Sequence, residues 1–140
     1  MSAVEAATQL ILVADDDDDL LELACMQLEE AGYDVERARD GSEALRLAHE
    51  SRPDLCVFDV HMPGLQGHEV LREMRNEPDT KGIPVILTTA TLHERSFWRI
   101  GPRPDDFLRK SREILELGDR VRRVLEDTNG NHRNGNRSDG

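Results

Sequence analysis

Five polar residues of this 140-residue chain each follow a short apolar run, and together they could carry out phosphoryl transfer. They come after the first, third, fourth and fifth runs: Asp15, Asp16, Asp59, Thr89 and Lys110. Carboxylate oxygens select a hard cation such as Mg²⁺, which shares its coordination shell with phosphate. A hydroxyl and an ammonium group can each hold a phosphate oxygen. We therefore predict that Asp59 accepts a phosphoryl group beside a bound Mg²⁺.

Each of these residues also has an ordinary structural explanation. The five consecutive aspartates, residues 15–19, suit the start of a helix, where the helix dipole favours negative charge. An aspartate at a strand end is commonly a turn residue, a threonine is a good strand former, and a lysine commonly lies on the surface. The prediction depends on all of them occurring at successive strand ends of one topology.

The elements that must position these residues alternate along the chain. Short apolar runs predict five strands, at residues 9–14, 33–37, 55–59, 83–89 and 106–109. Apolar residues at helical spacing predict helices after strands one, two, three and five, the first ending at Gly32 and the second capped by Ser42. This order predicts an α/β fold, a doubly wound parallel sheet with helices on both faces.

The segment at residues 91–105 is the least regular part of the predicted domain. Two prolines and a glycine at residues 101–104 limit any fourth helix to about residues 92–100. Phe97 and Trp98 in this segment suit either local core packing or an exposed patch for a protein partner. We predict a flexible leader at residues 1–8, one domain at 9–126 and a disordered polar tail at 127–140.

Composition excludes several classes of function. The formal net charge of −11 argues against direct binding of nucleic acid, which requires a basic patch. No apolar run approaches the roughly 20 residues of a membrane-spanning helix, and no signal peptide precedes the first strand. Cys25 and Cys56 lie in apolar segments, which favours buried, reduced thiols over a disulfide or a metal pair. We expect a cytoplasmic protein.

The chain resembles the receiver domains of bacterial two-component response regulators. Four motifs in the same order carry the resemblance over residues 9–126: Ile11-Leu12-Val13-Ala14-Asp15-Asp16, Phe58-Asp59-Val60-His61-Met62-Pro63-Gly64, Ile83-Pro84-Val85-Ile86-Leu87-Thr88-Thr89-Ala90 and Asp106-Phe107-Leu108-Arg109-Lys110. The resemblance implies a flavodoxin-like fold, a five-stranded parallel sheet in the order 2-1-3-4-5.

The resemblance also implies a role for each site residue. Asp59 would be the phosphoacceptor. Asp16, Asp59 and the backbone carbonyl of His61 would bind Mg²⁺ directly, and Asp15 would bind it through water. Thr89 would bond the phosphate and Lys110 would pair with it. The ring of Phe107 would swing inward as the threonine moves toward the phosphate.

One residue departs from the pattern of the family. The lysine is usually followed by proline through a cis peptide bond, whereas here it is followed by Ser111. A cis bond before a residue other than proline costs ~3 kcal/mol, which favours a trans Lys110–Ser111 peptide, although the sequence alone leaves the isomer open.

The expected function is that of a stand-alone receiver domain that signals by protein–protein contact, as a monomer or a weak dimer. A sensor histidine kinase or a histidine phosphotransfer protein would phosphorylate it, and a downstream protein would recognise the result. Its only chemistry would be Mg²⁺-dependent self-phosphorylation and autodephosphorylation, so we do not expect an enzyme. Two alternatives are a receiver-like interaction module that is never phosphorylated and a phosphohydrolase that uses Asp15 with Asp17.

Overall fold

The structure, a computed structural model, describes residues 8–90 and 101–139. Strands and helices alternate through most of this length. In chain order they are β1 Leu10–Ala14, α1 Asp18–Glu30, β2 Asp34–Ala38, α2 Gly41–Ser51, β3 Leu55–Asp59, α3 Gly67–Arg75, β4 Val85–Thr89, β5 Asp106–Arg109, α4 Lys110–Glu113, a 3₁₀ turn Ile114–Glu116 and α5 Leu117–Asp139.

The five strands form one parallel sheet in the order β2-β1-β3-β4-β5. Every residue of β3 and β4 is buried, and so are four of the five residues of β1. The outer strands β2 and β5 are only partly buried. Buried strands of this kind need helices on both faces, which is what the alternating pattern predicts. The predicted flavodoxin-like fold and strand order are confirmed.

Alternate residues of each strand enter two separate hydrophobic cores. Ile11 and Val13 of β1 pack with α1 and α5, whereas Leu12 and Ala14 pack with α2 and α3. We call these the α1/α5 core and the α2/α3 core. The division follows from the two-residue period of a strand, in which successive side chains point to opposite faces.

Both cysteines are free and buried, as the sequence predicts. Cys25 belongs to the α1/α5 core and Cys56 to the α2/α3 core, so the sheet separates them. Burial raises the pKa of the Cys25 thiol to about 11, and it raises the pKa of Cys56 further still. Both thiols are therefore protonated at neutral pH and serve as packing groups.

The start of α2 corrects one prediction. The cap is Asp40, not Ser42, because the helix begins at Gly41. The side chain of Asp40 accepts a hydrogen bond from the backbone N–H of Glu43 at 2.8 Å, and the Glu43 side chain accepts one from the N–H of Arg39 at 3.0 Å. This reciprocal capping fixes the helix start two residues earlier than the serine suggested.

Other element ends differ from the predictions by small amounts. β1 and β2 each begin one residue later than predicted, and β4 begins at Val85 because Pro84 has no N–H to give to the ladder. α1 ends at Glu30, and Gly32 follows it in the left-handed conformation at φ +99°, as expected for a glycine that ends a helix.

The C-terminal helix differs more from the prediction. Ile114 lies in the 3₁₀ turn, and α5 runs to Asp139, where the sequence predicts a disordered tail from residue 127. The last residues of α5 in the α1/α5 core are Val124 and Leu125. Beyond them the backbone follows the local helical hydrogen-bonding pattern, which requires no tertiary partner.

Three predicted features lie outside the described residues. They are most of the N-terminal leader, the short fourth helix at residues 92–100, and the surroundings of Phe97 and Trp98. The short helix α4 is a different element, which directly follows β5. Within the described ranges, no helix combines the length and the apolar character needed to cross a membrane.

Candidate functional site

The strand register gathers the predicted residues at the carboxyl edge of the sheet. β3 lies between β1 and β4, and Asp59, its last residue, is paired with Thr88. Asp15 directly follows β1, and its N–H extends the ladder to the carbonyl of Ala38 at 3.1 Å. Carboxyl ends of parallel strands are the usual ligand-binding edge of open α/β sheets.

Lys110 joins the two buried aspartates. Its Nζ atom lies 2.7 Å from Oδ2 of Asp15 and 3.0 Å from Oδ2 of Asp59. The three side chains are only 9%, 8% and 6% exposed, respectively. The peptide bond from Lys110 to Ser111 is trans, and the lysine reaches the phosphoacceptor position with serine after it.

Each buried carboxylate divides its two oxygens in the same way. One oxygen meets Lys110, and the other accepts a backbone N–H from two residues further along the chain. Asp15 Oδ1 accepts from Asp17 at 2.9 Å, and Asp59 Oδ1 accepts from His61 at 3.2 Å. These bonds hold both side chains in fixed rotamers and leave lone pairs for a further ligand.

Asp16 completes a group that could bind a metal ion. One carboxylate oxygen from each of Asp15, Asp16 and Asp59 lies within 4.8 Å of the others. Asp16 is exposed, while the other two are buried, so the group opens to solvent on one side. Three carboxylate oxygens without a nitrogen or sulfur donor match the preference of Mg²⁺, which keeps several waters in its shell. The residues therefore fit the predicted Mg²⁺ ion.

Burial and charge act in opposite directions on the site. Burial raises the pKa of Asp59 to about 6, the negative charge of Asp15 adds to this rise, and Lys110 and the His61 N–H limit it. Burial on its own would lower the pKa of Lys110, but its bonds to the two aspartates raise it above the ordinary value. At neutral pH the site therefore holds the charged ammonium of Lys110 beside the ionised carboxylate of Asp59.

Thr89 and His61 lie at this edge, whereas Phe107 lies within β5. Thr89 is the last residue of β4 and fully buried. Phe107 is paired in register with Leu87, and its partly buried ring packs against the α2/α3 core. His61 is exposed, and its backbone contacts the phosphoacceptor position. The structure brings six of the seven predicted site residues to this edge and places Phe107 within β5, while their individual roles stay predictions.

Two residues of this edge have positioning roles that the sequence did not reveal. Asp17 holds Asp15 through its backbone N–H and also caps α1 by accepting the N–H groups of Asp19 and Leu20. Gly67 starts α3 so close to β3 that a Cβ atom would lie 2.9 Å from the carbonyl carbon of Asp59. An aspartate before a helix is a recognisable capping signal, whereas a close approach leaves no pattern in one sequence.

Comparison with known proteins agrees with this geometry. The family model of the response regulator receiver domain matches residues 11–122. The chain is 41% identical over 118 residues to response regulator MprA of a Mycobacterium species, which covers 84% of this chain and 51% of the relative. It is 35% identical over 119 residues to the DNA-binding dual master transcriptional regulator RpaA of Synechocystis, covering 84% and 49%. The chain thus spans about half the length of these curated relatives.

A solved receiver domain also matches the structure closely. It belongs to the sensor histidine kinase PA1611 of Pseudomonas aeruginosa and holds a magnesium ion in its active-site cleft. The TM-score is 0.77 at 28% identity, over 86% of this chain and 99% of that domain. The family match covers well over half of the sequence. The chain therefore belongs to the response regulator receiver domains, the phosphorylation-dependent switches of two-component signalling.

Proposed function

We propose that Asp59 accepts a phosphoryl group from the histidine of a sensor kinase or of a phosphotransfer protein. The observation that carries the proposal is the position of Asp59, buried at the end of β3 with Lys110 at 3.0 Å from one oxygen. In the transfer, a carboxylate oxygen of Asp59 forms a bond to phosphorus while the phosphorus–nitrogen bond to the donor histidine breaks. The imidazole leaves with the bonding electron pair and takes up a proton from solvent.

The surrounding residues would position and neutralise the transferred group. A pKa of about 6 leaves the Asp59 carboxylate ionised at neutral pH, which a nucleophile requires. The Lys110 ammonium lies where it could pair with a phosphoryl oxygen. Asp15, Asp16 and Asp59 would hold Mg²⁺ together with the carbonyl of His61, and the ion would supply charge neutralisation for the phosphoryl oxygens. The solved receiver domain with bound magnesium supports this assignment.

The output of the switch would pass through Thr89 and Phe107. Thr89 would bond the phosphoryl group, and Phe107 would change its packing against the α2/α3 core in response. We expect a downstream protein to recognise the altered surface, and the net charge of −11 favours a protein partner over nucleic acid for this domain. Action as a stand-alone domain stays a prediction, because the curated relatives are about twice as long. We propose no enzymatic activity beyond self-phosphorylation and autodephosphorylation.

Acetyl phosphate tests the proposal directly. The protein is incubated with this donor and Mg²⁺, and its intact mass is measured. In this reaction the oxygen–phosphorus bond to Asp59 forms as the bond from phosphorus to the acetate oxygen breaks. We expect one added phosphoryl group on the wild type, none on Asp59→Asn, and one on the matched variant Asp34→Asn, which changes an exposed aspartate in the edge strand β2. Equal addition to the first two proteins would contradict the proposal.

The second candidate is a receiver-like module that is never phosphorylated, which Ser111 in place of proline favours. The approach of Lys110 to both aspartates weighs against this alternative, since the ammonium group that would neutralise a phosphoryl oxygen lies beside Asp59. A Mg²⁺ titration by calorimetry separates the two, because a degenerate site should bind no metal. The phosphohydrolase alternative is weaker still, because Asp17 is engaged in capping α1 and is not directed at Asp15 as an acid or base.

A further inference from the structure

The loop between β3 and α3, residues 60–66, follows the phosphoacceptor position and is attached at both ends. At its start, the N–H of Val60 donates to the carbonyl of Thr88 at 2.8 Å. At its end, the N–H of Gly67 donates back to the carbonyl of Val60 at 3.0 Å. Between these bonds, His61 gives its N–H to Asp59. The path of this loop therefore sets the position of one oxygen of Asp59.

The middle of the loop rests on the first residue of α2. The N–H of Gly41 points to the carbonyl of Pro63 at 3.5 Å. A Cβ atom on Gly41 would lie 2.6 Å from the carbonyl carbon of Leu65 and 2.7 Å from its Cβ atom. Contacts this short are essentially never made by real side chains, so any larger residue at this position would displace the loop. The backbone of Gly41 lies outside the left-handed region, so space and not conformation requires glycine.

The start of α2 is the firmer partner in this contact. Asp40 caps the helix through the N–H of Glu43, and the Glu43 side chain returns to the N–H of Arg39. Ala44 and Ala48 anchor the same helix in the α2/α3 core. Residues 60–66, in contrast, contain no helix or strand, and only Val60 and Met62 of this loop are buried in that core. A clash between Gly41 and Leu65 would therefore be relieved mainly by movement of the loop.

We propose that Gly41 is a positioning residue for the aspartyl site, acting through the loop at residues 60–66 and not through any contact with the phosphoryl group. Its missing side chain lets the loop lie against α2, and this packing holds the backbone of His61 at Asp59. Displacement of the loop would misplace the N–H of His61, which bonds to Asp59. It would also misplace the carbonyl of His61, which would bind Mg²⁺ under the proposed function. The inference thus rests on that function, but it concerns a residue outside the site.

The experiment compares Gly41→Ala with Gly82→Ala. Gly82 is an exposed glycine before β4, and a Cβ atom there would meet nothing within 4 Å. Mg²⁺ affinity is measured by calorimetry, and phosphorylation is followed as a function of acetyl phosphate concentration. We expect Gly41→Ala to weaken Mg²⁺ binding and to lower the maximal rate, each by about 10- to 100-fold. Gly82→Ala should match the wild type in both.

A third variant separates positioning from simple loss of stability. Asp40→Ala removes the cap of α2 and so destabilises the same helix end, but it adds no atom against Leu65. Each variant is assayed at a temperature where it is folded. A positioning role predicts reduced Mg²⁺ affinity in Gly41→Ala and near wild-type affinity in Asp40→Ala. Equal Mg²⁺ affinity in Gly41→Ala and the wild type would overturn the proposal, and so would an equal loss in both variants.

Two further outcomes are also decisive. If Gly41→Ala does not fold in plain buffer, the titration is repeated for all variants in trimethylamine N-oxide, which favours the folded state. A chain that stays unfolded there would assign Gly41 to the fold alone and overturn the inference. If the wild type binds Mg²⁺ but takes no phosphate, the proposed function fails, while the Mg²⁺ comparison still tests Gly41.

Discussion

The interior of the sheet and its carboxyl edge are built from consecutive residues of the same strands, yet their energetics are opposite. Phe58 is fully buried among apolar side chains of the α2/α3 core, while its neighbour Asp59 is buried against a lysine and a second aspartate. Burial of the first side chain stabilises the fold by about 2 kcal/mol or more, whereas burial of the second raises its pKa to about 6. Burial of apolar side chains in the interior therefore stabilises the domain, whereas burial of a carboxylate at the edge destabilises it.

The difference explains why the edge suits a switch. Two carboxylates and one ammonium, all largely buried, give a site whose charge balance changes when a cation or a phosphoryl group arrives. Close packing in the interior keeps the strand ends in place while this happens. Substitutions in the interior should therefore change stability without changing the site, and substitutions at the edge should change both.

The largest effect is expected from the interior. Leu12→Ala removes a fully buried side chain from the α2/α3 core and should lower the free energy of unfolding by about 3 kcal/mol. The Mg²⁺ affinity of the folded protein should stay that of the wild type, because the strand end does not move. Urea unfolding and calorimetry measure the two quantities. Leu115→Ala, at a position 77% exposed, is the control and should cost less than about 0.5 kcal/mol. A large loss of Mg²⁺ affinity in Leu12→Ala would break the distinction between interior and edge.

A smaller effect on stability is expected from the lysine at the edge. Lys110→Met keeps most of the side-chain volume but leaves Asp15 and Asp59 without their cation. In buffer with chelator, the free energy of unfolding should fall by about 2 kcal/mol. Mg²⁺ should bind more tightly than to the wild type, because no ammonium competes for the carboxylate oxygens, while phosphorylation by acetyl phosphate should slow.

Lys81→Met is the matched control, since Lys81 is exposed and its side chain forms no ion pair among the described residues. Urea titrations with and without Mg²⁺ follow both variants. Unchanged stability of Lys110→Met in chelator would mean that the buried pair contributes nothing in the absence of metal.

Asp59→Asn should stabilise the metal-free protein. The pKa of Asp59 is about 6 in the folded state and about 3.9 in the unfolded chain, so the folded state binds its proton more tightly. Ionisation of Asp59 then opposes folding, and this destabilisation develops as the pH rises from about 4 to about 6. The full shift corresponds to roughly 3 kcal/mol, and screening at this solvent-facing edge reduces the expected gain of Asp59→Asn to about 1 to 2 kcal/mol.

The pH dependence supplies the check. Urea unfolding in chelator should show the stabilisation by Asp59→Asn at about pH 8 and none below about pH 4, where both states of the wild type are protonated. Asp34→Asn changes an exposed residue of the edge strand β2, and it should not raise the free energy of unfolding by a comparable amount at either pH. A gain of the same size at both pH values would assign the effect to packing and not to the buried charge.

The sequence predicted the interior better than the edge, for physical reasons. Periods of two and of 3.6 residues reflect burial over whole elements, so β3 and the buried face of α3 were evident. Asp40 and Ser42 are both good capping residues, so the sequence alone does not show which of them caps α2. Residue types and order, with the family resemblance, identified Asp15, Asp59 and Lys110.

The distances between side chains on separate strands and helices could not be predicted from the sequence. That Lys110 lies nearer to Asp15 than to Asp59 depends on the geometry of three separate strand ends. The contact of Gly41 with Leu65 is equally hidden, because Asp40-Gly41 has the composition of an ordinary turn. Contacts between residues far apart in the chain appear only when the fold brings two backbones together.

The smallest change in stability is expected from Gly118→Ala, which contrasts with Asp59→Asn. Gly118→Ala places a Cβ atom 3.9 Å from that of Ala31, an ordinary contact between α5 and the end of α1. Near the start of a helix, this change should raise the free energy of unfolding by about 0.5 kcal/mol, because alanine restricts the unfolded chain. Gly32→Ala is the opposing control and should lower stability, since Gly32 has a φ of +99°. Thermal unfolding measures both.

Gly118→Ala should keep wild-type Mg²⁺ affinity and phosphorylation, whereas Asp59→Asn gains stability only by losing the phosphoacceptor. If Gly118→Ala also altered Mg²⁺ binding, the α1/α5 core would be coupled to the edge, and stability and function could not be assigned to separate regions.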